Sequence, residues 1–248
     1  MRISKEKDSY FLIKDNLKIK LEIEVVQKYR LYYEQAYDIS YDEILNDNNY
    51  YFYYKLALKR LAKMQSRKML ENYLIEKQIN KSTLNKVINR LLELKYLDDY
   101  EYAKNYLNLK MYQYGPLRLE NKLIEDGVHP QIIKELISKI DEGEILSNLL
   151  EKDLTKINQS IYNFKQKLVR KYYMKGFNLS LINEMLSNLL ENIDYDELDS
   201  LKKDYQKLLI KSSSLDKSDY ERKLSIREKL LRKGYRLDNI KKVEELYL

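Results

Sequence analysis

The sequence predicts a mainly α-helical protein, made of tandem three-helix repeats that form an elongated curved array, with a small N-terminal β-hairpin extension. Three observations carry that reading. Only five glycines and two prolines punctuate 248 residues, too few breakers for a loop-rich or turn-rich fold. A ten-residue helical segment recurs four times, and three of the five glycines occupy the same place in it. Its copies are spaced by 49, 49 and 58 residues at Gln78, Gly127, Gly176 and Gly234, which leaves room for three short helices in each period.

The extension spans residues 1–49. Tyr10-Phe-Leu-Ile-Lys14 and Leu17-Lys-Ile-Lys-Leu-Glu-Ile-Glu-Val25 alternate apolar and polar residues at period two, with Asp15-Asn16 between them as a turn. That pattern reads as a β-hairpin. A lone hairpin is marginal in water, so it must dock on something. Short helices around Lys28–Ala36 and Tyr41–Leu45 are expected to bridge it to the repeats.

The repeats are expected over 50–97, 98–142, 143–192 and 193–248. The recurring segments are Leu70-Glu-Asn-Tyr-Leu-Ile-Glu-Lys-Gln-Ile79, Leu119-Glu-Asn-Lys-Leu-Ile-Glu-Asp-Gly-Val128, Leu168-Val-Arg-Lys-Tyr-Tyr-Met-Lys-Gly-Phe177 and Ile226-Arg-Glu-Lys-Leu-Leu-Arg-Lys-Gly-Tyr235. Apolar residues four apart share one helix face, and a glycine after them supplies the left-handed conformation that ends a helix cheaply. Further apolar residues at Leu84, Ile133, Ile182 and Ile240 mark the helix that follows, started near Ser82, His129-Pro130 and Asn178. The expected helices are 50–65, 66–77 and 82–94; 98–113, 116–126 and 130–141; 144–162, 164–175 and 179–191; and 195–212, 217–233 and 237–247. Gln78 breaks the glycine rule, so the first repeat must end this helix differently.

No cysteine is present, which excludes disulfides, thiolate metal sites and cysteine nucleophiles. The charged start Met1-Arg-Ile-Ser-Lys-Glu-Lys-Asp8 and the lack of any long apolar run point to a soluble, cytoplasmic protein with no membrane contact. The net charge is +7 and it is segregated. Residues 222–242 hold nine Lys/Arg against two acidic residues, and two shorter stretches are purely basic. One comprises Lys59, Arg60, Lys63, Arg67 and Lys68; the other Lys165, Lys167, Arg170, Lys171 and Lys175. Segregated positive charge suggests a polyanionic partner, against the plainer reading of a solvated helix face. In the C-terminal stretch the candidates are Arg222, Lys223, Arg227, Arg232, Lys233 and Arg236. Reversing Arg227, Arg232 and Lys233 to glutamate is expected to weaken binding without unfolding the chain. The 25 tyrosines allow base stacking, but an A/T-rich codon bias is the favoured reading.

Nothing reads as catalytic chemistry: no phosphate loop, no dinucleotide fingerprint, no metal-ligand spacing, and no cofactor is expected. The sole histidine, His129, and the pair Asp98-Asp99 each precede a predicted helix and read as caps.

Leu97-Asp-Asp-Tyr-Glu-Tyr-Ala103, Gly115-Pro-Leu-Arg-Leu119 and Lys122-Leu-Ile-Glu-Asp-Gly-Val128 resemble the core signature of the RecX family. Ala57-Leu-Lys-Arg-Leu-Ala62, Ser66-Arg67 and Leu74 are similar to its first repeat. The resemblance is strong over 50–140, fainter in the third repeat and positional beyond it. The hairpin and the added repeat resemble the longer versions of low-GC Gram-positive bacteria. The resemblance implies a non-enzymatic regulator, acting as a monomer, that binds the RecA nucleoprotein filament and its single-stranded DNA and modulates, in the main inhibiting, ATPase and strand exchange. Arg118 is the signature residue with an outward reach, against the plainer reading of a salt bridge to a nearby carboxylate, while Leu97, Ala103 and Leu123 read as core. The other readings are a stand-alone helical-repeat DNA-binding protein and a structural scaffold. Helix-turn-helix readout is disfavoured, because the presumptive recognition helix 84–94 offers only Lys86, Arg90, Asn85 and Asn89 beside Glu93.

Overall fold

The computed structural model describes residues 2–14, 17–32, 39–212 and 218–247. Its elements are β1 (Arg2–Glu6), β2 (Ser9–Lys14), β3 (Leu17–Leu21), α1 (Ile23–Tyr29), α2 (Tyr41–Leu61), α3 (Arg67–Glu76), α4 (Lys81–Glu93), α5 (Asp99–Lys110), α6 (Pro116–Glu125), α7 (Pro130–Ile137), α8 (Glu142–Leu154), α9 (Ile161–Met174), α10 (Leu179–Glu191), α11 (Glu197–Ser212), α12 (Asp219–Arg232) and α13 (Leu237–Glu245). The expected mainly helical fold stands, with three helices to each repeat. Met1–Tyr106 with Lys122–Leu136 form one compact unit, and Leu107–Asn121 with Ile137–Leu248 form another.

The N-terminal extension departs from expectation in three ways. The sheet has three antiparallel strands in the order β1-β2-β3, not two. The added strand comes from the charged start of the chain, where Ile3 pairs with Leu12 and is buried while its neighbours face outward. Second, the strand expected to reach Val25 stops at Leu21. Adjacent Val25 and Val26 are both buried, which a strand's alternation forbids and a helix allows. The turn expected at Asp15-Asn16 lies outside the described residues, as do residues 33–36 of the helix expected around Lys28–Ala36; the observed helix is instead Ile23–Tyr29, ended by the left-handed Arg30 (φ 52°). Third, Tyr41–Leu45 is not a separate helix but the first turn of the 21-residue α2, which crosses the expected boundary at residue 49 unbroken. The sheet docks on that helix. Asn48, nearly buried, accepts from the Glu22 N–H (2.7 Å) and donates to the Lys20 carbonyl (3.0 Å).

Each repeat builds its core from the recurring apolar positions. Leu70, Leu74 and Ile79 pack with Val87, Ile88 and Leu91; Leu168, Tyr172 and Phe177 with Ile182 and Leu186; Ile226, Leu230 and Tyr235 with Ile240 and Val243. Leu97, Ala103 and Leu123 are buried as expected.

A single joint links successive repeats. The carbonyl just before each left-handed helix-ending residue accepts a hydrogen bond from the start of the preceding repeat's middle helix. Ser66 Oγ donates to Asp126 O (2.5 Å), the Gly115 N–H to Lys175 O (2.9 Å), and Ser160 Oγ to Lys233 O. Ser66 and Ser160 also cap their own helices by accepting from Met69 and Asn163 N–H, so one hydroxyl satisfies two helix ends. The first N–H of α3 and of α9 goes to the acid that opens the next repeat, Asp99 (2.7 Å) and Glu197 (2.8 Å). In α6 that position is Pro116, which has no N–H to satisfy.

This joint explains the glycines. A Cβ on Gly127 would lie 2.5 Å from the Lys68 side chain, on Gly176 2.5 Å from the Arg118 backbone nitrogen, and on Gly234 2.5 Å from the Tyr162 ring. Gln78 holds the same left-handed conformation, φ 64°, and the carbonyl before it is met by the Tyr53 hydroxyl of its own repeat (2.9 Å). The first repeat has no predecessor to dock there, so a side chain is tolerated. Only the left-handed strain remains.

Candidate nucleic-acid interface

The joint between the second and third repeats brings Arg118 of α6 together with the cations of α9. Gly115 and Gly176 meet backbone to backbone, with Leu117 N–H donating to Gly176 O (3.2 Å). Arg118 emerges from that contact. Its Nη1 donates to the Met174 carbonyl at the end of α9 (3.2 Å), and its guanidinium lies 4.4 Å over the Tyr114 ring. From α9, Lys171 and Lys175 approach the Tyr172 ring at 5.2 and 5.5 Å. Burial, together with the neighbouring charges of Lys171 and Arg118, lowers the Lys175 pKa, and the Asp153 carboxylate only partly opposes this. A half-buried ammonium crowded by two cations favours an incoming anion, because an added negative charge offsets both the lost solvation and the repulsion. Exposed Tyr173 and Met174 border it, and Lys167 and Arg170 extend the charge along the solvent face of α9, with no ion pair among the described residues.

The other predicted cations divide into free and engaged groups. In the first repeat, Lys59 and Lys63 are exposed without an ion pair among the described residues. Arg60 is stacked 4.9 Å over Tyr73 and bonds Gln65, Arg67 pairs with Glu71 (2.8 Å), and Lys68 donates to Glu125 O (3.0 Å). Lys165 is held by Ser187 Oγ (2.9 Å). In the fourth repeat, Arg222 pairs with Asp219 (3.6 Å) and Arg232 with Glu228 (3.7 Å). Arg227 makes a two-pronged bond to the buried Glu244 (2.6 and 3.2 Å), and Lys233 pairs with Asp204 (2.9 Å). Lys223 and Arg236 have no ion pair among the described residues. Arg227 and Lys233 are thus bound into the repeat, contrary to the expectation that their reversal would leave the fold intact.

A recurring device engages four of the 25 tyrosines. Four aspartates each take a tyrosine hydroxyl and a lysine: Asp47 from Tyr29 (2.7 Å) and Lys28, Asp126 from Tyr102 (2.7 Å) and Lys122 (2.7 Å), Asp153 from Tyr172 (2.8 Å) and Lys171, with Lys156 a second cation at 3.8 Å, and Asp204 from Tyr235 (3.0 Å) and Lys233 (2.9 Å). Burial first, and then the aspartate, push all four phenols up, Tyr29 to about 12 and the others further. Burial works against ionisation of Asp47 and Asp153, but the bonds from lysine and tyrosine outweigh it and hold both below the usual carboxylate range. A phenol with a raised folded value contributes stability that is full below its unfolded value of about 10 and is lost as pH rises through the folded one. The depressed carboxylates contribute above about pH 4 and lose it as pH falls. An alkaline titration should therefore show late tyrosinate absorbance arriving together with loss of the helical circular dichroism signal. Smooth titration of every tyrosine near the ordinary value, with helicity intact, would refute the triads.

Of the residues read as caps, His129 and Asp98 cap the helices they precede, while Asp99 is the first residue of α5 and accepts from the Arg67 N–H of α3. His129 Nδ1 accepts from the Gln131 N–H (3.3 Å), and Asp98 Oδ1 from Tyr100 and Glu101 N–H (2.8 and 3.2 Å). Among the described residues no group of His, Asp and Glu could hold a metal, and no helix is long and apolar enough to cross a membrane. Sequence reasoning missed the role of Tyr114 and Tyr172 beneath the cations. The pairs Lys28-Tyr29 and Lys171-Tyr172 were the only available hint, and their aspartates lie 18 or more residues away.

No protein-family model matches the chain. Regulatory protein RecX of Streptococcus mutans is 30% identical over 199 residues, covering 78% of this chain and 77% of that one. The RecX of Halalkalibacterium halodurans is 28% identical over 243 residues, covering 95% and 86%. A crystal structure of regulatory protein RecX superposes with a TM-score of 0.58 at 20% identity, over 76% of this chain and all of that one. That of RecX from Lactobacillus salivarius gives 0.51 at 23%, over 58% and 97%, so the fold is shared.

Proposed function

The chain belongs to the RecX family, and from that premise we propose that it regulates the RecA recombinase in the cytoplasm by binding the RecA–single-stranded DNA filament, without catalysis of its own. The observation that carries the contact is the cation cluster of Arg118, Lys171 and Lys175 at the joint of α6 and α9, which continues into the exposed Lys167 and Arg170. Crowded charge beside exposed aromatic surface suits a phosphate backbone with unstacked bases. Further free cations at Lys59, Lys63, Lys223 and Arg236 lie in other repeats. Several weak contacts on one chain suit a partner that is itself a periodic polymer, because each contact raises the effective concentration of the next.

The test is RecA ATPase on single-stranded DNA with this chain titrated in, and binding to bare DNA followed in parallel. The expected result is a fall in rate at substoichiometric ratios, weaker at high salt. Lys167→Glu with Arg170→Glu should weaken the effect by about tenfold or more, since each reversal replaces an attraction by a repulsion at a site with no internal partner. An unchanged rate with tight, salt-sensitive binding to bare DNA would replace this reading with the stand-alone DNA-binding one.

A further inference from the structure

We propose that a second site, the cleft between the N-terminal extension and the first repeat, holds one nucleotide of an unpaired strand, with its phosphate against α4 and its base against the tyrosines of α2. The cleft has a volume of about 450 Å³, within the usual span of small-ligand sites. One wall is the face of α4 that carries Lys86, Asn89 and Arg90, at i, i+3 and i+4 and all exposed. The other wall is Tyr50 and Tyr51 of α2, whose rings sit 5.1 Å apart and nearly perpendicular.

Charge inside the cleft favours an anion. Asp47, at its edge, is occupied by Lys28 and by the Tyr29 hydroxyl, so its carboxylate is already compensated. Glu93 holds Arg90 only through an exposed i,i+3 pair at 3.2 Å, a kind of contact that costs little to exchange for a phosphate. Lys86 has no ion pair among the described residues, although its charge is felt at Asp47. Two cations and a carboxamide thus face two phenol rings across a space of nucleotide size. Those are the two halves of a single-strand site, one for backbone charge and one for a base face. Asn89 brings both donors and an acceptor, which can meet a base edge or a phosphate.

The same geometry favours an unpaired strand. Lys28 of α1 and Tyr50 and Tyr51 of α2 line the cleft beside the cations of α4, so a splayed-out base is expected to bind there in preference to a double helix. The proposal rests on the regulatory reading only for the source of the strand.

The test uses the isotopically labelled full chain, titrated separately with thymidine monophosphate, a short oligothymidylate, inorganic phosphate and a duplex of equal length. The expected result is amide shifts at residues 50–51 and 86–93 with the first two probes. The Lys86→Gln, Arg90→Gln variant should retain helicity and bind the oligonucleotide about tenfold more weakly at this site, as expected for losing two phosphate contacts. Shifts confined to α9, an equal response to inorganic phosphate alone, or equal binding of the duplex would each overturn the proposal. RecA ATPase, run on the same variant and on the unaltered chain, separates the two readings. Regulation with a silent cleft removes only this proposal, and a responsive cleft without regulation removes only the other.

Discussion

Gly176→Ala is expected to cost about 3 kcal/mol or more in urea unfolding, the range of a severe packing or backbone defect. Backbone strain and steric overlap add. The residue holds φ 86°, where alanine is strained by about 1 kcal/mol or more. Overlap contributes more than strain, because the new methyl would sit 2.5 Å from the Arg118 backbone nitrogen and side chain. Backbone cannot rotate away as a side-chain tip can. Relief would require α6 to lift from α9, breaking the bonds from Gly115 N–H to Lys175 O and from Leu117 N–H to Gly176 O. Two controls fix the interpretation. Gly143→Ala places its methyl at ordinary contact distances of 3.4 and 3.6 Å inside α8, and should be neutral or stabilising by up to about 1 kcal/mol. Gln78→Gly relieves left-handed strain where no helix docks and should change stability by less than about 1 kcal/mol. Equal, small effects at all three positions would mean that the joint does not require glycine.

Reversing Arg227, Arg232 and Lys233 together to glutamate should unfold the fourth repeat rather than merely weaken binding. Glu244 is nearly buried and receives both prongs of Arg227; a glutamate there would put like charges together with no substitute donor. Losing one partner of a fully buried pair costs about 3–5 kcal/mol, and since Arg227 is a third exposed we expect about 2 kcal/mol from this position. Lys233 adds the loss of its bond to Asp204, whose other ligand is the buried Tyr235. Arg232 is exposed and pairs only with Glu228 at 3.7 Å, so its share is small. Circular dichroism and urea midpoints of the three single variants should rank Arg227 first and Arg232 last. Should the triple variant keep its helicity and midpoint, the internal pairs would be of no structural consequence. A charge reversal that tests binding alone belongs at Lys223 and Arg236 instead.

The one strand that the sequence concealed shows where local pattern stops being informative. Arg2–Glu6 is short, and four of its five residues are polar or charged, so its single inward residue Ile3 gives no visible alternation. It is a strand because β2 offers an edge to pair with. In the same way, the period-two pattern runs on through Ile23 to Val25, yet the chain turns into a helix once Leu21 has reached the end of the sheet. Both departures fall where the element is decided by a neighbour.

By itself, the sequence determined the recurring helical segment, its core positions and the left-handed residue that ends it, because apolar spacing and left-handed glycines act within one turn of the chain. It also determined which stretches are basic. Only the tertiary structure decided what those features are for. Glycine at 127, 176 and 234 is required by a helix arriving from the repeat before, and Gln78 is allowed because none arrives there. Of the candidate cations, Arg227 and Lys233 are fixed by acids 17 and 29 residues away, while Lys167 and Arg170 stay open to solvent. Charge in a sequence has no address until folding brings its counter-ion. The tertiary pairing therefore separates the cations that hold the fold from those left in solvent.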